Sequence, residues 1–167
     1  MRLSGITPES LVDGPGLRYV IFTQGCMHQC PNCHNPDSWD INAGREFTVK
    51  EIIRRLKRQK KTIRGITFSG GEPFLQAGEL AQVAAAARLT GWDTVTYTGF
   101  TYEELTELAK IDSGIPELLS ASDILIDGRY IQKKRNTSLL FRGSSNQRII
   151  DMNETRKNGK ITMWEKT

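Results

Sequence analysis

The chain has 167 residues, a size that suits one domain of ~100–200 residues and is too short for a complete (β/α)8 barrel of ~250. Hydrophobic residues make up 38% and charged residues 25%, which excludes a disordered chain. The net charge of +4 is too small to mark a nucleic-acid binder by itself, and no stretch approaches the ~20 apolar residues of a membrane helix.

Residues 1–6 lack the apolar run of a signal peptide, so a cytoplasmic location is expected. Asp13-Gly14-Pro15-Gly16 is a tight-turn sequence. Residues 17–23 (LRYVIFT) form a short apolar run rich in β-formers and are expected to be the first strand. A cysteine-bearing loop follows directly. Thr48 and Glu51 are spaced as a capping box, and Val49, Ile52, Ile53 and Leu56 then recur at helical spacing. Seven cations lie between Arg54 and Arg64. They are expected to form the solvated face and end of that helix, or a docking patch for an acidic partner.

Residues 65–69 (GITFS) are the second expected strand. After Gly70-Gly71-Glu72-Pro73 comes an alanine-rich helix over residues 79–90, closed by Gly91. Residues 93–97 alternate as a third strand. Thr101 and Glu104 make a second capping box, and residues 124–126 form a fourth, fully apolar strand. Residues 128–148 are expected to be a long basic loop, mobile or facing a partner. Asn158-Gly159 is expected to be a hairpin turn.

Strand alternating with helix predicts an α/β protein with a parallel sheet and right-handed crossovers, and residues 1–167 are expected to form one domain. The unusual sequences fall after the four strands. In a parallel sheet such positions share the C-terminal edge, where α/β proteins bind ligands. Asp127 ends a buried strand and needs a cation such as Arg129 or a hydrogen-bonding ligand. Glu72 could accept from an amino group, and Gly70-Gly71 lets a ligand approach the backbone.

Cys26, Cys30 and Cys33 are the chain's three cysteines. An odd count within eight residues does not suit a disulfide framework. The spacing C-x3-C-x2-C can hold a soft metal centre. One possibility is a structural zinc site completed by His28 or His34. The other is a cubane iron–sulfur cluster with one iron left open for a cofactor. A Cys3His zinc module using Cys26, Cys30, Cys33 and His34, binding nucleic acid through the basic run, is thus one rival function. An electron carrier is another, although it would ordinarily supply four cysteines.

Gly25-Cys26-x3-Cys30-x2-Cys33-His34-Asn35, with Asp13-Gly14-Pro15-Gly16 before it and Ser69-Gly70-Gly71-Glu72-Pro73 after it, resembles the radical S-adenosylmethionine superfamily and, within it, the glycyl-radical activating enzymes. Asp127-Gly128-Arg129-Tyr130 followed by Phe141-Arg142-Gly143-Ser144-Ser145-Asn146-Gln147-Arg148 resembles the activating proteins of anaerobic (class III) ribonucleoside-triphosphate reductases. The resemblance implies a shortened partial TIM-type barrel. Cys26, Cys30 and Cys33 would hold three irons of a [4Fe-4S] cluster, and S-adenosylmethionine would chelate the fourth. Reductive cleavage would give a 5′-deoxyadenosyl radical that takes hydrogen from a glycine of the reductase, so no catalytic acid–base pair is expected. Gly70, Gly71 and Glu72 would meet the methionine amino group. Asn32, Cys33 and His34 would face the adenine, with backbone contacts at Asn32, where the superfamily often has an aromatic residue. Asp127 and Arg129 would lie near the ribose or carboxylate. The implied partners are the reductase and an electron donor of the flavodoxin or ferredoxin type, with neither nucleic acid nor membrane. An activase of another glycyl-radical enzyme, such as pyruvate formate-lyase, is the alternative within the superfamily.

Overall fold

The computed structural model describes residues 1–165. The last two residues of the expected single domain, 166 and 167, lie outside them. Seven strands, β1 (Arg2–Ser10), β2 (Arg18–Thr23), β3 (Arg45–Glu46), β4 (Gly65–Gly70), β5 (Asp93–Tyr97), β6 (Ile124–Asp127) and β7 (Arg148–Asp151), form one sheet in the order β3-β1-β2-β4-β5-β6-β7. The pairs β2/β4, β4/β5 and β5/β6 are parallel. The outer pairs β1/β2, β1/β3 and β6/β7 are antiparallel. The four central parallel strands are those the sequence pattern predicts.

Among the described residues, five α-helices accompany the sheet: α1 (Val49–Leu56), α2 (Ala77–Arg88), α3 (Tyr102–Leu108), α4 (Gly114–Ala121) and α5 (Met152–Asn158). Both expected capping boxes form, at Thr48/Glu51 and Thr101/Glu104, each satisfying two backbone N–H groups that a helix start leaves orphaned. The period-two pattern of the strands sorts their side chains. Tyr19, Ile21, Ile66, Phe68 and Leu125 pack with Ile52, Leu56, Leu80, Val83, Ala84 and Leu118 of the helices. Val95, Ile124, Ile126 and Ile149 form a smaller cluster covered by Tyr97, Phe141 and Trp164. Small residues let α2 and α4 cross closely, since a side chain at Gly114 would press on the backbone of Gly78.

The structure departs from the expected elements in four places. The 17–23 strand is not the first, because β1 precedes it and pairs antiparallel. The expected hairpin turn at Asn158-Gly159 is instead the end of α5. Gly159 adopts the left-handed conformation that stops the helix. The chain then returns beside β7, through hydrogen bonds from Asp151 N to Thr162 O and from Trp164 N to Ile149 O. Helix α1 ends at Leu56, so most of the basic run lies in the turn after the helix rather than on its face. The segment between β6 and β7 is not wholly irregular. It has a short 3-10 helix (Gln132–Lys134) and a bridge between Arg135 and Ser144.

Candidate active site

The loop after β2 is tied down by backbone hydrogen bonds from Gly25 N to Ser38 O (2.8 Å) and Cys26 N to Trp39 O (3.1 Å). Within it, Gln29 and Asn32 adopt positive φ, which turns the chain tightly enough to bring Cys26, Cys30 and Cys33 onto one cavity. All three thiols are half-buried and form no disulfide. Burial pushes the Cys26 and Cys30 thiols above their ordinary value, so metal binding must release their protons.

The cavity measures about 490 Å³, within the usual ligand-site range of ~300–1,000 Å³. Its lining comes from the ends of four parallel strands: the cysteines after β2, Gly70 and Gly71 after β4, Tyr97, Thr98 and Gly99 at β5, and Gly128 and Tyr130 after β6. The convergence expected from strand order is present. Asp13, from the turn before β2, also lines it. A second concavity, about 640 Å³, lies at the opposite sheet edge between Lys57, Lys61, Arg64, Trp92 and Asp93.

Of the residues expected at a cofactor, Cys33, His34, Gly70 and Gly71 line the cavity, whereas Asn32, Glu72, Asp127 and Arg129 do not. At Gly71 the close approach is made by the chain itself, since a side chain there would overlap the carbonyl oxygen of Gly25. Glu72 N donates to that same oxygen at 2.8 Å. The Glu72 side chain is fully buried. Its Oε1 accepts from Phe74 N (3.0 Å) and Thr98 Oγ1 (2.9 Å), and its Oε2 from Gly99 N (2.8 Å), with His28 Nε2 at 2.9 Å. The His28 ring meets Phe100 edge-on, with centroids 4.5 Å apart. His28 is thereby committed to Glu72, while His34 is exposed, 5.5 Å from the Tyr130 ring.

Asp127 is buried on a different set of partners. It accepts from Tyr102 N (2.7 Å), from Arg148 Nε (3.0 Å) and from Arg148 Nη2 (2.5 Å). The cation it needs is therefore Arg148, not Arg129, because antiparallel pairing sets Asp127 opposite Arg148. Arg129 is exposed, and its carbonyl accepts from Asn146 Nδ2. Arg148 also grips both carboxylate oxygens of Glu103 (3.0 and 2.7 Å). That contact pulls the Glu103 carboxyl down to about 2. The two carboxylates in turn hold Arg148 above its ordinary range.

Sequence reasoning assigned no role to Tyr97 or Arg142, yet both line the cavity. Arg142 Nε is buried without an acceptor among the described residues, so a group that brings an acceptor suits this wall. Arg142 sits in the Phe141–Arg148 stretch on which the family resemblance rests, and that was the one available signal. Among the described residues no three His, Cys, Asp or Glu side chains converge closely enough for a single metal ion. The three free thiols on one rim suit a cubane, whose irons sit at separate corners.

The sequence profile of the 4Fe-4S single cluster domain family matches residues 12–150. The class defined by fold and site is thus an α/β iron–sulfur protein with a single cluster. The chain is similar to the anaerobic ribonucleoside-triphosphate reductase-activating protein of Vibrio cholerae, 35% identical over 149 residues, which cover 85% of this chain and 92% of that protein. Its similarity to the protein of the same name from Enterobacteria phage T4 is 35% over 156 residues, covering 89% and 93%. This chain belongs to the family of anaerobic ribonucleoside-triphosphate reductase-activating proteins. It is also 39% identical over 122 residues to the pyruvate formate-lyase-activating enzyme of Clostridium pasteurianum, covering 66% of this chain and 51% of that enzyme.

Proposed function

We propose that this chain is a radical S-adenosylmethionine enzyme that installs a glycyl radical on an anaerobic ribonucleoside-triphosphate reductase. The observation that carries this reading is the meeting of three unpaired thiols with the loops of three further parallel strands on one cavity. Cys26, Cys30 and Cys33 would hold a [4Fe-4S] cluster with a fourth position open to a cofactor. When bound, the cluster and S-adenosylmethionine would supply the one-electron radical chemistry directed at a glycine of the reductase. The protein's own part is to hold, orient and enclose. The β2 loop sets the thiols, and Glu72, through His28, Gly99 and Thr98, locks that loop to the ends of β4 and β5.

The sheet, with β3 and β7 as its edges, is taken as a shortened barrel of the radical S-adenosylmethionine type, and the described chain as one domain. A flavodoxin or ferredoxin supplies the electron, in a reducing cytoplasm that suits three free thiols.

The test is anaerobic loading with iron and sulfide, reduction, and addition of S-adenosylmethionine and the reductase. A glycyl radical seen by electron paramagnetic resonance is expected. Similarity to a pyruvate formate-lyase-activating enzyme supports a second reading, so pyruvate formate-lyase is assayed in parallel. A radical on that enzyme alone would reassign the target. Loading with zinc but not iron would reject the chemistry.

A further inference from the structure

We infer that Arg142 is a carboxylate anchor in the cysteine cavity. The inference rests on the proposed function only for the identity of the molecules that bring the carboxylate.

Arg142 is presented by a turn clamped on both sides. Before it, Tyr97 donates its hydroxyl hydrogen to Phe141 O at 2.7 Å. Burial pushes the Tyr97 phenol up, so it remains a donor. Phe141 itself adopts a φ of 58°, a left-handed conformation that an aromatic residue holds only when its surroundings impose it. After it, Gln147 Oε1 accepts from Gly143 N (2.9 Å) and Ser144 N (3.1 Å), while Gln147 Nε2 donates to Gly128 O (3.1 Å). These bonds fasten the turn to the end of β6.

The guanidinium has five N–H donors in a fixed fork. Nη1 donates to Gln147 O at 2.7 Å. The Nε–Nη2 edge has no acceptor among the described residues, and Nε is buried. Arg18 and Arg148 differ, since each pairs with a carboxylate of the chain. An Nε–Nη2 edge without an acceptor leaves two parallel N–H groups, which match the two oxygens of a carboxylate. Among the described residues, Arg142 is also the one Arg or Lys that lines the cavity, and a single cation suits a singly charged group better than a phosphate. Two sources fit: the amino-acid end of S-adenosylmethionine, or a carboxylate of the protein substrate reaching into the cavity.

The experiment uses the full chain loaded anaerobically with iron and sulfide, as wild type, Arg142→Gln and Arg142→Lys. Iron content and melting temperature are measured on each sample. In the first arm, equilibrium binding is measured for S-adenosylmethionine and for its decarboxylated analogue. Arg142→Gln is expected to weaken the parent molecule about 10- to 150-fold and to leave the analogue unchanged. Arg142→Lys, which keeps the charge but not the fork, should lie between. The second arm measures binding of the reductase without S-adenosylmethionine. Loss there alone still supports a carboxylate anchor and assigns the carboxylate to the protein substrate. Unchanged binding in both arms, with normal iron and melting, overturns the inference. A wild type that binds normally but forms no radical on either target would defeat the proposed function and leave Arg142 judged by its own binding differences.

Discussion

His28 Nε2 lies 2.9 Å from Glu72 Oε2, so the side chain between the first two cysteines is anchored on the turn after β4. The loop that carries the thiols and the turn that carries Gly70-Gly71 are therefore fastened into one unit. A side chain at Gly99 would overlap the His28 ring, which brings the end of β5 into the same unit.

Glu72→Ala should destabilise the whole fold. It strands the Phe74 and Gly99 N–H groups, the Thr98 hydroxyl and the His28 ring. Each buried donor left unmet costs about 1–3 kcal/mol, so a loss of at least ~3 kcal/mol is expected. Urea unfolding of the metal-free protein measures it, and a midpoint equal to wild type would refute the keystone role.

Replacing Cys30 by Ala should abolish iron retention, since two thiolates do not hold a cubane stably. His34→Ala should keep its iron. Iron per chain and visible absorbance decide both. Iron lost from His34→Ala would make that exposed residue a ligand.

Asp127→Ala should lower stability and spare cofactor binding. The carboxylate sits on Arg148 and the Tyr102 N–H, away from the cavity lining. Breaking a buried pair costs about 3–5 kcal/mol. The lower end is expected, because the Arg148 side chain is 30% exposed and keeps Glu103. Melting temperature and S-adenosylmethionine titration on one sample separate the outcomes. Weak binding with unchanged melting would return Asp127 to the cofactor.

Glu103 should shape the acid limb of stability. Its folded-state value, about 2, is below the ordinary 4.5. Its pairing with Arg148 therefore stabilises the fold fully above the ordinary value and is lost as pH falls towards the folded one. Glu103→Gln should flatten the stability profile across that window and change nothing near neutrality in its slope. Urea midpoints across the acid range test this, and parallel wild-type and variant profiles would refute it.

Asp93→Ala should be among the most damaging surface-edge substitutions. Arg18 is fully buried, and Asp93 is the carboxylate that compensates it. Burial lowers the Arg18 value, with Asp93 opposing the shift. Uncompensated, such a charge costs about 3–5 kcal/mol, which chemical denaturation would detect.

The parallel centre of the sheet was legible because residues 17–23, 65–69 and 124–126 are short runs rich in β-formers and residues 93–97 alternate, each bounded by turn signals. The edges were not. Strand β1 alternates weakly and holds Gly5 and Pro8, and α4 hides behind Gly114 and Pro116 in its first turn. Asn158-Gly159 has the composition of a hairpin turn, yet the same left-handed glycine closes a helix. At the site, the cysteines and the converging strand ends follow from spacing and order. The partners of Glu72 and Asp127 could not be read, because a buried carboxylate shows only that it needs donors, and the donors here come from three-dimensional neighbours: His28 and Gly99 in one case, Arg148 and Tyr102 in the other.

The bonds from Gly25 to Ser38, from Cys26 to Trp39 and from the Gln24 amide to Asp37 and Asp40 belong to the polypeptide alone. The loop that carries the thiols is thus braced by the chain's contacts with itself. Air that strips the iron should take away the chemistry and leave that bracing in place. Recovery is then a matter of resupplying iron and sulfide to a folded protein, a repair that needs no refolding.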